Sequence, residues 1–576
     1  MARAPFTVAQ YLVERLHELG VRHLFSIPGD YIVPFLETLD EDGRIQRIGN
    51  TNEMEAGYAA DGYARLHGIG AVAVTYGVGS LSLANAVAGA FVEEVPLVVI
   101  NGAPGTDKRL LARDTGLTWH HMMQGGDSRD LAVYRSITAA AVQVDNPARA
   151  TADIDFALSA CLTERQPVYL EMFEDVYAAP CDPPKAPLPR RPIPSIRANV
   201  ESAVAAAAKK LLGSKNPVIW AGEELQRFGL QAAFEAFVAQ TRIPFTTSLE
   251  GKSIVSEDNP LFAGVYDGRS SNDATAALVA GSDCLLTLGV WPTDINLLGV
   301  TAAVEDADHP WGDDEINALR GAVRVGAAYF PQVGLGDFLA GLAKALQKYR
   351  CPAPFSRKPT PLPTSRPADP IAFDSFFARM RSFVTASDVV VADIGFSVLG
   401  AMDLPIAARS GFISQAVWSA IGYAVPAAIG VKCASPEKRP VIFAGDGAFH
   451  MTIQAIGTMV SLEQNPVIFV MNNGIYGVEQ WLVDSTVFTP PGSPKKVTPI
   501  NKLRRWEFSK LTEVFTGGDG YKVATLRELE SALREIAARP ARLAVVDVRL
   551  AELDLPSNAK WKVPDAKTSS KKAKGK

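Results

Sequence analysis

Short runs of β-branched and aliphatic residues alternate along this chain with stretches whose apolar residues recur at helical spacing. In the first part the pattern predicts strands over 24–27, 71–75 (AVAVT), 97–101 (LVVIN) and 167–172 (PVYLEM), and helices over 53–65 and 81–94. A second part repeats the theme with strands at 217–222 (PVIWAG), 243–247 (IPFTT) and 284–289 (CLLTLG), and a helix over 226–240. The third part has strands at 388–393 (DVVVAD), 440–444 (PVIFA), 466–471 (PVIFVM) and 543–548 (LAVVDV), with a helix over 452–463. Continuously apolar strands, joined by helices, are what a parallel sheet covered on both faces requires. The expected fold class is α/β, with three doubly wound parallel-sheet domains.

Proline marks the joints. Seven prolines fall within 179–197, and 352–370 (PAPFSRKPTPLPTSRPADP) is a second rich stretch. Such segments extend rather than pack. The expected organisation is a first domain at 1–180, a linker at 181–198, a central domain at 199–350, a linker at 351–370, a third domain at 371–555 and a tail at 556–576. The last ten residues of that tail, KTSSKKAKGK, read as a solvated end.

Composition narrows the classes. The 576 residues are 47% apolar and 21% charged, which excludes a disordered or collagen-like chain. Lysine and arginine number 57 against 62 acids, a net charge of −5, so no broad basic face awaits nucleic acid. The five cysteines (Cys161, Cys181, Cys284, Cys351, Cys433) form no CxxC pair, and a zinc or redox centre is not expected. They read as buried or indifferent thiols in a reducing compartment. Glu14 and Glu18 interrupt any signal-peptide core, and no run of 18 apolar residues offers a membrane span. The expected address is the cytoplasm.

The chemistry concentrates in the third part. One strand ends at Gly445-Asp446-Gly447, and 24 residues later the next ends at Asn472-Asn473. That length fits a strand, a crossover helix and a parallel strand. It puts Asp446 and Asn473 at the carboxyl ends of strands in one sheet, the edge where open α/β sheets bind ligands. A carboxylate and an amide oxygen suit a hard cation such as Mg²⁺ shared with phosphates. The glycines admit a phosphate to the backbone, and a helix N-terminus favours its charge.

This arrangement resembles the thiamine diphosphate motif. IPGDY (27–31), NEMEAGYAADGYAR (52–65), the His120-His121 pair and WSAIGYAVPAAIG (418–430) extend the resemblance over almost the whole chain. They narrow it to the 2-oxo acid decarboxylases of the pyruvate, indolepyruvate, phenylpyruvate and branched-chain type. The resemblance implies pyrimidine-binding, central and diphosphate-binding domains, and non-oxidative decarboxylation to an aldehyde and CO₂ through ylide and enamine forms of thiamine diphosphate. It implies Mg²⁺ held by Asp446, Asn473 and the carbonyl of Ile475, where this chain has NNGIY and relatives usually have NNDGY. It gives the diphosphate to Gly445, Asp446 and Gly447.

The same resemblance assigns Glu53 to the cofactor's aminopyrimidine, and Ile421 to supporting its bent shape. Without that context Glu53 would read as an ordinary acid at a helix start, and Ile421 as core. Asp30, His120 and His121 match the proton-relay groups, and Glu479 the residue of the carboxylate and carbanion steps. Groups that titrate near neutral pH suit such steps. Clustered carboxylates are expected to raise at least one pKa. Ile394, Val398, Val478 and Leu482 are expected to wall the substrate pocket. Ile394 stands where many relatives have Gln, and Val398 near a usual Phe. An aliphatic wall favours large apolar or aromatic side chains over a methyl. The resemblance further implies a homodimer at minimum and usually a homotetramer. Where relatives often close the site with a C-terminal helix, 551–564 (AELDLPSNAKWKVP) carries two prolines.

Three alternatives differ in their residues. A carboligase of the acetolactate synthase type shares the cofactor motif and Glu53 but typically lacks the Asp30, His-His and Glu479 set. No GxGxxG fingerprint for the FAD of some such relatives appears in 199–346, and a nicotinamide dehydrogenase finds only the partial dinucleotide fingerprint GVGSLS (77–82). A catalytically silent, cofactor-binding assembly protein would not need the intact acids and metal ligands.

Overall fold

The computed structural model describes residues 5–122, 129–189, 194–297, 315–357, 363–489 and 495–563. The positions called a solvated end, 567–576, lie outside them, as do parts of both proline-rich stretches. Three sheets organise the chain. The first contains β1 (His23–Ser26), β2 (Gln46–Gly49), β3 (Gly70–Thr75), β4 (Leu97–Ala103), β5 (Ala140–Val144) and β6 (Val168–Phe173), in the order β2-β1-β3-β4-β6-β5. All its pairings are parallel. Every residue of β3, β4 and β6 is buried, as strands covered on both faces must be.

The central sheet contains β7 (Pro217–Ala221), β8 (Phe245–Thr247), β9 (Phe262–Val265), β10 (Cys284–Leu288), β11 (Glu315–Leu319), β12 (Ala322–Val325) and β13 (Ala328–Pro331). Its last three strands are antiparallel neighbours, a departure from the all-parallel expectation. Tight turns at Arg320-Gly321 and Gly326-Ala327 fold the chain straight back, leaving no room for crossover helices. The third sheet contains β14 (Asp388–Ala392), β15 (Phe412–Ile413), β16 (Arg439–Gly445), β17 (Val467–Asn472), β18 (Asp519–Val523) and β19 (Ala544–Arg549). Its order, β15-β14-β16-β17-β19-β18, repeats that of the first sheet and is again parallel.

Two expected helices differ from the pattern. The stretch 226–240 is Glu224–Arg227 and Gln231–Thr241, with Gly229 between them at φ +67°. The stretch 452–463 is helical only over Ala455–Ser461, and a separate short helix, Asp446–Thr452, precedes it, so Asp446 is itself a first-turn helical residue. Part of the expected tail is packed structure: Ser557–Lys562 is a 3-10 helix whose Ala559 carbonyl accepts from Trp481 Nε1 at 2.9 Å. Trp561 Nε1 donates to Ser270 Oγ at 3.0 Å. None of the five cysteines is in a disulfide, and two of them, Cys161 and Cys284, are buried. Among the described residues no helix is long and apolar enough to cross a membrane.

The contacts divide the chain into two compact units. One comprises Met1–Pro192 with Val425–Glu437 and Thr452–Glu463; the other comprises Ile193–Ala424, Lys438–Met451 and Gln464–Lys576. In the first unit, glycines let helices meet backbone to backbone. A Cβ on Gly430 would stand 1.8 Å from the Ala59 carbonyl oxygen, and one on Gly62 2.2 Å from that of Ala427. Thr458 Oγ1 donates to the buried Glu55 Oε1 at 2.6 Å in the same unit.

Candidate active site

A doubly wound sheet opens a crevice where successive strands diverge to opposite sides. In the third sheet that point lies between β14 and β16, because β15 falls on the far side of β14. The chain leaves β14 through Asp393-Ile394-Gly395 and leaves β16 through Gly445-Asp446-Gly447. Asp446 is 2% exposed; Oδ2 accepts from Gly474 N–H at 2.8 Å and Oδ1 from Gly447 N–H at 3.0 Å. Burial raises its pKa to about 6, against the pull of those two N–H groups and of Arg505. Asn473 Oδ1 accepts from Ile475 N–H at 3.2 Å, and Gly474 between them takes φ +78°. In NNGIY the glycine thus supplies the left-handed residue the loop needs.

One cavity is lined by Asp446, Asn473 and Ile475 together with Ile394, Ile421 and Val478. Gly445 and Gly447 also line it, and nothing lies within 4 Å of where a Cβ on Gly445 would stand. Hard oxygen donors beside a glycine rim at a helix start are a chemical fit for a cation carrying a diphosphate. Two expected wall residues are elsewhere. Val398 is 1% exposed in the apolar core, and Leu482 is 50% exposed. Helical period explains both: Val398 points inward from the Phe396–Met402 helix, and Leu482 lies a turn beyond Val478 on the Gly477–Asp484 helix. Glu479, in the first turn of that helix, is exposed. Trp481, buried, packs edge-on against Phe396 and Trp561 rather than filling the cavity.

Sequence reasoning missed Asp393. Its carboxylate is fully buried and accepts from the N–H groups of Ile394, Gly422 and Ala424, each at 3.1 Å. Burial pushes its pKa up to about 7, with the three N–H groups opposing. It ties the segment bearing Ile394 to the segment bearing Ile421. The signal was available, since Asp393 directly follows its strand as Asp446 does.

The first sheet has its own divergence point, between β1 and β3. From β1 the chain runs through Ile27-Pro28-Gly29 to Asp30, whose Oδ2 lies 2.6 Å from His120 Nε2. The ligand atoms of Asp30, His120 and His121 all lie within 4.8 Å of one another. Tyr31 stacks on His120 with ring centroids 5.0 Å apart, and His121 meets His120 edge-on at 4.9 Å. His121 holds φ +65°. The expected rise in a carboxylate pKa does not occur at Asp30. Burial raises it, but the His120 hydrogen bond, the two imidazoles and the Tyr31 N–H outweigh burial and hold it below the usual value. The pair is about half exposed, so burial is a weak opponent there. Glu53 opens the Glu53–His67 helix behind Asn52, whose side chain accepts from Glu55 N–H.

Three family models match the chain in order. They are the thiamine pyrophosphate enzyme N-terminal TPP binding domain over residues 6–131, the central domain over 204–310 and the C-terminal TPP binding domain over 393–548. Among curated relatives, an alpha-keto-acid decarboxylase of Mycolicibacterium paratuberculosis is 34% identical over 558 residues, 96% of this chain and 95% of its own. The alpha-keto-acid decarboxylases of Mycobacterium avium and Mycobacterium leprae are 35% and 33% identical, each over 96% of this chain and over 95% and 94% of their own.

Proposed function

The chain belongs to the family of thiamine pyrophosphate-dependent 2-oxo acid decarboxylases, and from that premise we propose that it converts a large apolar or aromatic 2-oxo acid to an aldehyde and CO₂. The observation that carries this reading is the Asp30–His120–His121 cluster at the divergence point of the first sheet. Bound thiamine diphosphate supplies an electron sink for the pair left when CO₂ departs. The chain's residues hold and move protons. Glu53 would hydrogen-bond the aminopyrimidine nitrogen of the bound cofactor. Asp30 orients His120 through the 2.6 Å contact, leaving its other nitrogen free of that bond. His120, held by Asp30, serves as the donor for the carbon that must gain hydrogen before aldehyde leaves. His121 continues the relay, and Glu479 serves the carboxylate and carbanion steps.

Asp446, Asn473 and the Ile475 carbonyl would hold Mg²⁺, and Gly445 and Gly447 the diphosphate. Ile421 lines the same cavity and supports the cofactor. Ile394 and Val478, also lining it, make its wall aliphatic, which supports large apolar side chains over pyruvate's methyl. The proposed assembly is a homodimer at minimum, with a tetramer usual for this family, and the proposed address is the cytoplasm.

A panel of pyruvate, 2-oxoisovalerate, 2-oxooctanoate, phenylpyruvate and indolepyruvate, with Mg²⁺ and thiamine diphosphate, tests the reading. Aldehyde equal to CO₂, with large acids fastest, is the expected result. Acetolactate or another acyloin in place of aldehyde would move the enzyme to the carboligases and remove the proton roles of His120, His121 and Glu479.

A further inference from the structure

Three acid–base groups of the first unit rest on one short segment. Thr75 ends β3, and Tyr76-Gly77 leads into the Val78–Val92 helix. A Cβ on Gly29, the residue before Asp30, would stand 2.5 Å from Thr75 Cβ. A Cβ on Gly77 would stand 2.0 Å from the His121 carbonyl oxygen, and one on Gly79 3.6 Å from Glu53 Oε1. The 75–80 segment is therefore a common seat for Asp30, His121 and Glu53.

What holds the seat comes from the Arg129–Tyr134 helix. Asp130 is 1% exposed, and its Oδ2 accepts from Gly77 N–H at 2.8 Å and from the Ser80 hydroxyl. Tyr134 OH donates to the Ser80 carbonyl at 2.7 Å. Gly77 takes φ +66° and ψ −90°, and no side chain of its own caps the helix that follows. The carboxylate supplies that cap from a distance and fixes the left-handed turn on which His121 lies. Among the described residues, the charged and titratable groups around Asp130 include Tyr76, Tyr134, Tyr169 and Glu171, the last paired with Arg109 at 2.9 Å. All are held by the same domain, so the clasp is built in rather than assembled on binding.

We propose that Asp130 is a positioning residue for the decarboxylation. Its carboxylate clasps the 75–80 segment and so sets the placement of His121, Glu53 and Asp30. The inference rests on the functional reading above, in which those groups handle protons.

The test uses the full-length enzyme with Mg²⁺ and thiamine diphosphate, and two readouts. One is the pH profile of kcat/KM on the best 2-oxo acid. The other, independent of turnover, is the rate of carbethoxylation of the His120-His121 peptide by diethyl pyrocarbonate across pH, followed by mass spectrometry. Asp130→Ala is expected to lower kcat/KM roughly tenfold or more, with kcat carrying most of the loss, and to change the carbethoxylation profile. Asp130→Asn, whose amide oxygen can still accept from Gly77 N–H and Ser80, is expected to recover most of both. Wild-type values in both readouts for Asp130→Ala would overturn the proposal. Should Asp130→Ala fail to fold by circular dichroism, Ser80→Ala and Tyr134→Phe each remove one strand of the clasp. Changes below about twofold in both of these would equally overturn it. A wild-type enzyme inert on every 2-oxo acid would sink the functional reading instead, while the carbethoxylation comparison would still decide the clasp.

Discussion

Adding one methyl group to Gly77 tests the seat of the histidine pair from the opposite side. In Gly77→Ala the new Cβ would begin 2.0 Å from the His121 carbonyl oxygen. A carbon and a carbonyl oxygen settle at about 3.3 Å, so one of them must retreat by more than 1 Å. The 75–80 segment is the poorer candidate to move, because Gly77 N–H and Ser80 are tied to buried Asp130. His121 is only partly buried and already holds φ +65°, so it yields. Gly77 at φ +66° and ψ −90° holds a conformation that residues with a Cβ rarely adopt, so alanine there adds about 1–3 kcal/mol of backbone cost. A catalytic group misplaced by about 1 Å costs on the order of 100-fold in rate. The expectation is therefore a kcat/KM lowered roughly 100-fold, with a folded protein and thiamine diphosphate binding near wild type. Steady-state kinetics on the best 2-oxo acid, with circular dichroism and fluorescence-monitored cofactor titration, measure all three. A kcat/KM within about threefold of wild type in a folded variant would refute the reasoning, since the methyl cannot be accommodated without moving the pair.

Asp267 gives a pH-dependent stability prediction. It is fully buried, neither carboxylate oxygen has a hydrogen-bond partner among the described residues, and burial raises its pKa to about 8. A raised carboxyl pKa favours folding below the unfolded value, near pH 4, and that stability is lost as pH rises to about 8, by about 1.4 kcal/mol per unit. Asp267→Asn lacks this slope, so its urea midpoint should gain on wild type between pH 5 and pH 8; a gap that stays constant would dismiss the assignment. Asp446→Ala should abolish Mg²⁺-dependent thiamine diphosphate binding in a folded protein, and isothermal titration giving wild-type affinity would remove Asp446 from the metal site. Gly430→Ala drives a methyl to 1.8 Å from the Ala59 carbonyl oxygen and should destabilise the first unit by about 1–3 kcal/mol. An unchanged thermal midpoint would show that those helices part more easily than their packing implies.

Much of the framework was legible because it depends on local pattern. The apolar runs at 71–75, 97–101 and 466–471 match β3, β4 and β17 closely, since a strand buried on both faces has no polar alternation to mislead. The edge strands β2 and β18 were not legible. Their mixed exposed and buried residues carry no continuous run, and only pairing with a neighbour makes them strands. The break at Gly229 left the apolar period intact across it, so period alone read 226–240 as a single element.

For the site, sequence placed Asp446 and Asn473 at strand ends, because the ends of apolar runs mark the carboxyl edge of a parallel sheet. It also matched Asp30, Glu53, His120, His121 and Glu479 to roles by their flanking residues. Tertiary structure alone decided the rest. That His120 meets Asp30 at 2.6 Å across 90 residues depends on two loops converging at one sheet edge. The sign of the Asp30 shift followed from the same convergence, because half-exposed groups yield to a neighbouring imidazole more than to burial. Asp130 looks like any other acid in the chain, and Asp393 differs in sequence only by directly following an apolar strand. What distinguishes them is burial against backbone N–H groups of distant segments, Gly77 for one and Gly422 and Ala424 for the other. Sequence records which residues can carry a charge or turn a corner. Only the folded chain removes water from around a carboxylate and leaves it specific N–H groups to hold.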